Sequence, residues 1–284
     1  MALYLPQQEN KNTNHHLDIF EQDQLTDIRQ LNDIESISYA FMLTNQSSVA
    51  IKKIKTPQTD RTSEWKCDHI YNHPNIVEFL GFYSIKDENQ LFSIMPFAND
   101  GNLRNYIGNN ALSFDKKIEI AINITNGIKF LHENDIIHEN INPKNILIFD
   151  GIAKISNLPS NNLYLRNKDL YFDDDLFDNI GYIEPSSIFN ENYMKNKSVD
   201  IYSLGTLLWE IMSEKIPYSK DRNDNRLCQL IIKIRGGYRE VNVINNPEYT
   251  NLYKNCWNGN NLNRPKIDDV YNQLLSIKKL GNLN

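Results

Sequence analysis

Apolar residues recur at two different periods along the chain. Before residue 100 the runs Val49-Ala-Ile-Lys-Lys-Ile54 and Gln90-Leu-Phe-Ser-Ile-Met95 favour extended backbone and predict strands. From Leu25 the apolar positions Ile28, Leu31 and Ile34 lead into this strand-rich region. Farther on, a 3.6-residue period takes over. Ser113 is placed to cap a helix whose Ile118, Ala121, Ile122, Ile124, Ile128 and Leu131 return to one face. A second helix is predicted over 199–212, a third amphipathic stretch ends at Gly236-Gly237, and 268–277 supplies the last. Residues 1 to about 16 are polar, rich in Asn and Gln and without period, and read as a flexible tail. Their His15-His16 pair lacks the further ligands a metal site needs. The pattern predicts a small strand-rich lobe followed by a larger helical one, with no internal repeat.

Composition narrows the function classes. A chain of 284 residues with 40% hydrophobic content can build a sizeable core. A formal net charge of -6 provides no basic field for phosphates, so nucleic acid and anionic membranes lose electrostatic support as partners. Cys67, Cys228 and Cys256 are widely spaced, without the patterns of a disulfide framework or a zinc site, and point to a reducing compartment. The start Met1-Ala-Leu-Tyr-Leu-Pro6 lacks a basic and apolar leader, and no uncharged apolar run is long enough to span a bilayer. The expected location is therefore cytoplasmic. The heavy use of Asn falls among ordinary periodic apolar residues and carries no functional weight.

Short motifs then narrow the fold. Val49-Ala50-Ile51-Lys52 ends a strand in a lysine, and Glu64 precedes His73-Pro-Asn-Ile-Val77. Met95-Pro96-Phe97-Ala98 is followed by Gly101-Asn-Leu103. Then come His138-Glu-Asn-Ile-Asn-Pro-Lys-Asn145, Lys154-Ile-Ser-Asn-Leu-Pro159, Asp200-Ile-Tyr-Ser-Leu-Gly205, and Cys256-Trp257 with Arg264-Pro265. Singly, each has an ordinary structural explanation, such as a strand, a helix cap or a core tryptophan. In this order and spacing they resemble the protein-kinase family, and within it the tyrosine-kinase-like group, over about residues 25–278. The resemblance implies an α+β, bilobal protein-kinase-like fold. Its β-rich N-lobe would cover about 25–95 and its mostly helical C-lobe about 99–278, with residues 1–24 an N-terminal extension and 279–284 a tail.

The same resemblance assigns expected roles. Lys52 would contact nucleotide phosphates and pair with Glu64. Met95, Pro96 and Ala98 would form the hinge that reads an adenine, with Ala50 and Leu147 on its two faces. Asn140 stands at the position of the catalytic base, Asn157 at that of the principal magnesium ligand and Asn145 at that of the second. Asp200 would brace the backbone of the catalytic loop.

Several of these positions depart from the family pattern. An amide at 140 has no useful basicity near neutral pH, and loss of general-base help costs typically ~10^2 to 10^4 in rate. An amide at 157 replaces a hard anionic oxygen, which weakens the grip on magnesium. The covering loop aligns with Glu35-Ser-Ile37-Ser-Tyr-Ala40-Phe-Met42, which has no glycine to let backbone approach phosphates. Glu139 replaces an arginine that pairs with phosphorylated segments, while Phe172-Asp-Asp-Asp-Leu-Phe-Asp178 is acidic and reads as a solvated loop face. Leu158 and Pro159 replace the phenylalanine and glycine of a segment that flips in switchable kinases. Ser186 replaces a glutamate that pairs with the arginine matched by Arg264, which leaves Arg264 to find another acceptor, with Glu184 the candidate.

The expected function is a pseudokinase acting as a non-catalytic interaction or regulatory module. Its rival is an ATP-dependent protein kinase with degenerate motifs and weak phosphotransfer. Any ATP binding is expected to be weak and metal-independent, with Asn145 and Asn157 failing as metal ligands. The expected partner is a protein, an active kinase among the candidates.

Overall fold

The computed structural model describes residues 19–31, 37–54, 72–85, 90–158, 176–188, 193, 195–224, 227–242 and 244–281. The chain divides into two compact units. The smaller holds the chain up to Ile54 and again Phe79–Met95, and the larger holds the residues from Pro96 onward with the stretch ending at Glu78.

The smaller unit is a six-stranded sheet: β1 (Ile19–Phe20), β2 (Leu25–Gln30), β3 (Ile37–Met42), β4 (Ser47–Ile54), β5 (Gly81–Ile85) and β6 (Gln90–Pro96). Its order is β1-β5-β6-β4-β3-β2, with β1 parallel to β5 and hairpin pairing between β2 and β3, β3 and β4, and β5 and β6. One face is dry, because Leu25, Ala40, Met42, Val49, Ile51, Tyr83 and Ile94 pack together with Phe20, Leu80 and Phe92 against them. The sheet thus takes in residues before Leu25, where the apolar period begins. β1 is too short to show a period and is held by its pairing with Phe82 and Tyr83.

The larger unit contains α1 (Leu103–Asn109), α2 (Phe114–Glu133), β7 (Ile146–Phe149), β8 (Ile152–Ile155), α3 (Leu176–Asn179), α4 (Ser198–Ser213), α5 (Leu227–Arg235), α6 (Pro247–Cys256) and α7 (Ile267–Gly281). Ser113 caps α2 as the sequence predicts, its side chain accepting the Lys116 N–H. Ile118, Ile120, Ala121, Ile124, Ile128 and Leu131 of that helix are sealed in the core, whereas Ile122 is only partly covered. Burial of each such isoleucine or leucine contributes about 1.5–3 kcal/mol. α4 is buried from Val199 to Met212 on every side, as a central helix must be. Gly205 lets it cross α6, since a Cβ there would lie 2.7 Å from the Trp257 nitrogen and 2.8 Å from the Cys256 Cβ. Gly127 does the same for α2, where a Cβ would meet the Asn75 carbonyl at 2.8 Å.

Candidate functional site

Position 138 begins a loop whose backbone is held by one buried carboxylate. Asp200, in the first turn of α4, is fully buried. Its Oδ2 accepts the His138 N–H at 2.9 Å and the His132 Nε2–H at 2.9 Å, and its Oδ1 accepts the Glu139 N–H at 2.8 Å. These bonds hold Glu139 in the left-handed region at φ 65°, a conformation that costs a non-glycine residue about 1–2 kcal/mol. The bracing role expected of Asp200 is thus present in full.

His138 links this loop to the next. Its Nδ1 accepts the Asn140 N–H at 3.2 Å, so the ring proton sits on Nε2, which donates to the Ser156 carbonyl at 3.0 Å. Burial pushes this imidazole below the ordinary histidine range, with Asp200 acting in the opposite sense. Ser156 in turn donates its N–H and its hydroxyl to the Asn145 carbonyl, at 2.8 and 3.0 Å. Asn157 follows at φ 61°, a left-handed conformation that asparagine tolerates, and it is exposed. Leu158 packs against the main core.

Three asparagines form the centre of the loop. Asn142 is buried, and its Oδ1 accepts the backbone N–H groups of Lys144 at 2.9 Å and Asn145 at 3.3 Å. Its Nδ2 donates to Asn140 twice, to Oδ1 at 2.7 Å and to the main-chain oxygen at 3.1 Å. Asn145 Nδ2 donates to the same main-chain oxygen at 2.8 Å. Asn142 was not singled out from the sequence, and only its position two residues after Asn140 could have drawn attention to it. Asn140 and Asn145 are therefore brought together, while Asn140 holds its acceptor oxygen inward.

The charged residues around the loop are paired differently from the sequence expectation. Glu139 does not face the acidic run as a bare charge, because its Oε2 lies 2.8 Å from Lys195 Nζ. Asp178, the last residue of that run, lies 3.4 Å from Lys144 Nζ and 4.0 Å from Arg104. Arg104 also contacts Glu210 at 3.1 Å and the Tyr182 hydroxyl at 2.9 Å, and that hydroxyl donates to Glu210. The remaining acidic residues of the run, and Pro159, lie outside the described residues.

Arg264 does find Glu184. The Nη2–Oε1 distance is 2.9 Å with both side chains buried. The other Arg264 donors reach the carbonyls of Ser198 at 2.9 Å and Asn258 at 2.8 Å. The second Glu184 oxygen accepts the Ser187 N–H at 3.0 Å. An acceptor placed before Pro185 thus serves an arginine whose expected partner position is Ser186.

The positions matched to nucleotide contacts fall in both units. In the smaller unit, Ala50 is buried in β4, Lys52 is half-buried two residues on, and Met95 is half-buried in β6. Burial pulls the Lys52 ammonium below the ordinary lysine range. Glu64 and Glu35 lie outside the described residues. Ile37 and Ala40, expected in a covering loop, belong instead to β3, where alternation turns Ala40 and Met42 into the core. In the larger unit, Pro96 is half-buried, Ala98 is buried and accepts the Gly101 N–H at 3.1 Å, and Leu147 is half-buried in β7. Among the described residues no helix is long and apolar enough to cross a membrane.

The comparisons agree with these motifs. A family model described as protein tyrosine and serine/threonine kinase matches residues 35–274. The chain is 26% identical over 249 residues to a probable serine/threonine-protein kinase, gdt2, of Dictyostelium discoideum, covering 84% of this chain and 15% of that protein. It is 28% identical over 269 residues to the dual specificity protein kinase zakA of the same organism, covering 84% of this chain and 33% of zakA. It is 23% identical over 242 residues to the serine/threonine/tyrosine-protein kinase HT1 of Arabidopsis thaliana, covering 79% and 59% respectively. The chain therefore spans only a small part of the length of the first two.

Proposed function

The chain belongs to the protein tyrosine and serine/threonine kinase family, and from that membership we propose that it is a pseudokinase of the tyrosine-kinase-like group, acting as a non-catalytic interaction or regulatory module. The observation that carries this reading is the Asn140 side chain. Its amide oxygen receives the Asn142 amide at 2.7 Å and carries no charge, so position 140 has no carboxylate to take up a substrate proton. The reaction needs both positioning and a proton acceptor.

Magnesium is the group the fold implies for phosphoryl transfer, and the residues present do not fit it. The two ligand positions offer the neutral amides of Asn145 and Asn157 and no anionic oxygen, whereas magnesium dehydrates reluctantly and is held through carboxylates and phosphates. Any ATP binding is accordingly weak and metal-independent, with Ala50, Lys52, Met95, Pro96, Ala98, Asn145 and Leu147 the positions that would contribute to it.

A protein partner, an active kinase among the candidates, and a cytoplasmic location complete the reading. The rival, a kinase with weak phosphotransfer, draws support from the intact Asp200 brace and from Asn145 Oδ1, to which no described residue donates. Single-turnover transfer from labelled ATP to a general protein substrate, with magnesium or manganese, separates the two. No transfer above a heat-inactivated control is expected, and clear transfer by the unmodified protein refutes the pseudokinase reading.

A further inference from the structure

The sheet of the smaller unit has two faces. Val49 and Ile51 point into its packed core, so Ala50 between them points the other way. Alternation along β4 puts Ser48 and Lys52 on the Ala50 face as well, and the pairing with β3 sets Tyr39 directly opposite Ala50 and Phe41 opposite Ser48. Residues opposite one another have Cβ atoms about 4.5–5.5 Å apart. The position matched to an adenine wall thus has an aromatic neighbour within reach on its own face.

The ring of that neighbour is fixed from two sides. The Tyr39 hydroxyl shares a hydrogen bond with Ser48 Oγ at 3.0 Å. A serine side chain is short, so a phenol that reaches its Oγ must cross β4 low against the strand, in the layer next to Ala50. On the other side, Arg29 of β2 is paired opposite Tyr39, and its guanidinium carbon lies 5.4 Å from the ring centroid. An irregularity in the pairing between Thr26 and Arg29 sets that approach. Asp27 there takes a left-handed φ of 55°, and its carboxylate accepts the Arg29 Nε–H at 2.8 Å. Arg29, Tyr39 and Ala50 therefore form one row across three strands. Tyr39 is half-buried in that row, and Ala50 is 9% exposed. A base stacked on Ala50 would have to lie about 3.5–4.0 Å from its Cβ, which is the layer the phenol crosses.

We propose that Tyr39 is a built-in plug on the Ala50 face of this sheet, a specificity-determining residue that keeps a purine base from stacking there. The proposal rests on the pseudokinase reading and deepens it, since nucleotide binding is then weakened at the base as well as at the phosphates. A ring serving as a platform for the base would act in the opposite sense, and the guanidinium over Tyr39 already takes one of its faces.

The test uses the full chain with carbon-13 in its alanine methyl groups, the Ala50 signal assigned by substitution. A nuclear Overhauser effect between the Tyr39 ring protons and the Ala50 methyl is expected. Adenosine, titrated without metal, should leave that methyl unmoved in the unmodified protein. In Tyr39→Val, which keeps a strand-forming residue, adenosine should shift the Ala50 methyl and bind about tenfold or more tightly, because an apolar face is freed for the base. Ribose, which lacks the base, should gain nothing, and Tyr39→Phe, which keeps the ring, should stay closed to adenosine. Unchanged or weaker adenosine binding by Tyr39→Val overturns the proposal, as does an Ala50 shift with adenosine in the unmodified protein or the absence of the Overhauser effect. Thermal melts establish that each variant is folded, and if Tyr39→Val is not, the two measurements on the unmodified protein decide. Phosphotransfer from ATP by the unmodified protein sinks the pseudokinase reading. Absent transfer with no gain in Tyr39→Val sinks only the plug.

Discussion

Removal of the Glu184 carboxylate is the sharpest test of how the larger unit is held. Arg264 is 0% exposed and Glu184 1% exposed at the side chain, so solvent cannot screen either charge. In Glu184→Ala the guanidinium cannot shed its proton, and Nη2 loses its Glu184 acceptor while Nη1 and Nε keep the Ser198 and Asn258 carbonyls. Breaking one side of a buried ion pair costs about 3–5 kcal/mol. The Ser187 N–H also loses its cap, which adds about 0.5–2 kcal/mol. The pair alone then lowers the melting temperature by roughly 6–20 °C for a domain of this size. Calorimetry, with urea unfolding at 25 °C as a second measure, reads the loss. Replacing both partners, as Glu184→Leu with Arg264→Met, should recover much of it, because no unpaired charge is then left inside. A loss below about 1 kcal/mol in Glu184→Ala would refute the reasoning, since it is the value of a solvent-screened pair.

Asn140→Asp with Asn157→Asp should gain less in single-turnover phosphotransfer than the ~10^2 to 10^4 that a general base supplies, because Asn142 still donates to residue 140; a gain inside that range would overturn this. Stability should fall at both ends of the pH scale. Burial keeps His138 neutral while the unfolded chain takes up a proton below about 6.5, so the unfolded state binds more protons in acid and stability is lost as pH falls through the native pKa. Burial also pushes the phenols of Tyr182, Tyr218 and Tyr249 well above 10.0 and that of Tyr202 up to about 12, so the unfolded chain loses these protons first. The phenols' contribution to stability is therefore full below about 10 and declines above it, by about 1.4 kcal/mol per pH unit for each lagging phenol. Urea titrations from pH 5 to pH 11 check both limbs, and a flat profile contradicts them. Gly205→Ala should destabilise by about 1–3 kcal/mol through the clash with α6, outweighing the roughly 1 kcal/mol that alanine gains in helix propensity; a stabilised variant would show that the crossing has slack.

Much of the fold was legible because local signals and burial agree. Ser113 caps α2, Gly236-Gly237 closes α5, and the apolar period through 199–212 becomes the central helix. The periodic signal falls short at the end of α7, which runs on to Gly281 past the last apolar core position, Ile277, through Lys278 and Lys279. β1 was illegible for another reason, since two residues carry no period and depend on a distant strand. Ile37 to Met42, expected in the covering loop, forms β3, because it carries strand alternation that a motif alignment without glycines cannot register.

The site divides along the same line. Residue identity alone reveals that positions 140 and 157 lack carboxylates, and it also suggested Glu184 as an acceptor for Arg264. It could not reveal which way an amide points. Read in isolation, Asn140 offers an oxygen to any donor and looks like a weakened aspartate. That oxygen is taken by Asn142, whose own orientation is dictated by the backbone N–H groups of Lys144 and Asn145, so the polarity at 140 is set two residues away by the loop's turn. Loss of the charge alone would give a slow enzyme, and because the Asn142 amide would still donate to a carboxylate at 140 and lower its basicity, restoring the charge there alone should not produce a competent one. The distinction lies in a chain of donors and acceptors that only the folded loop assembles.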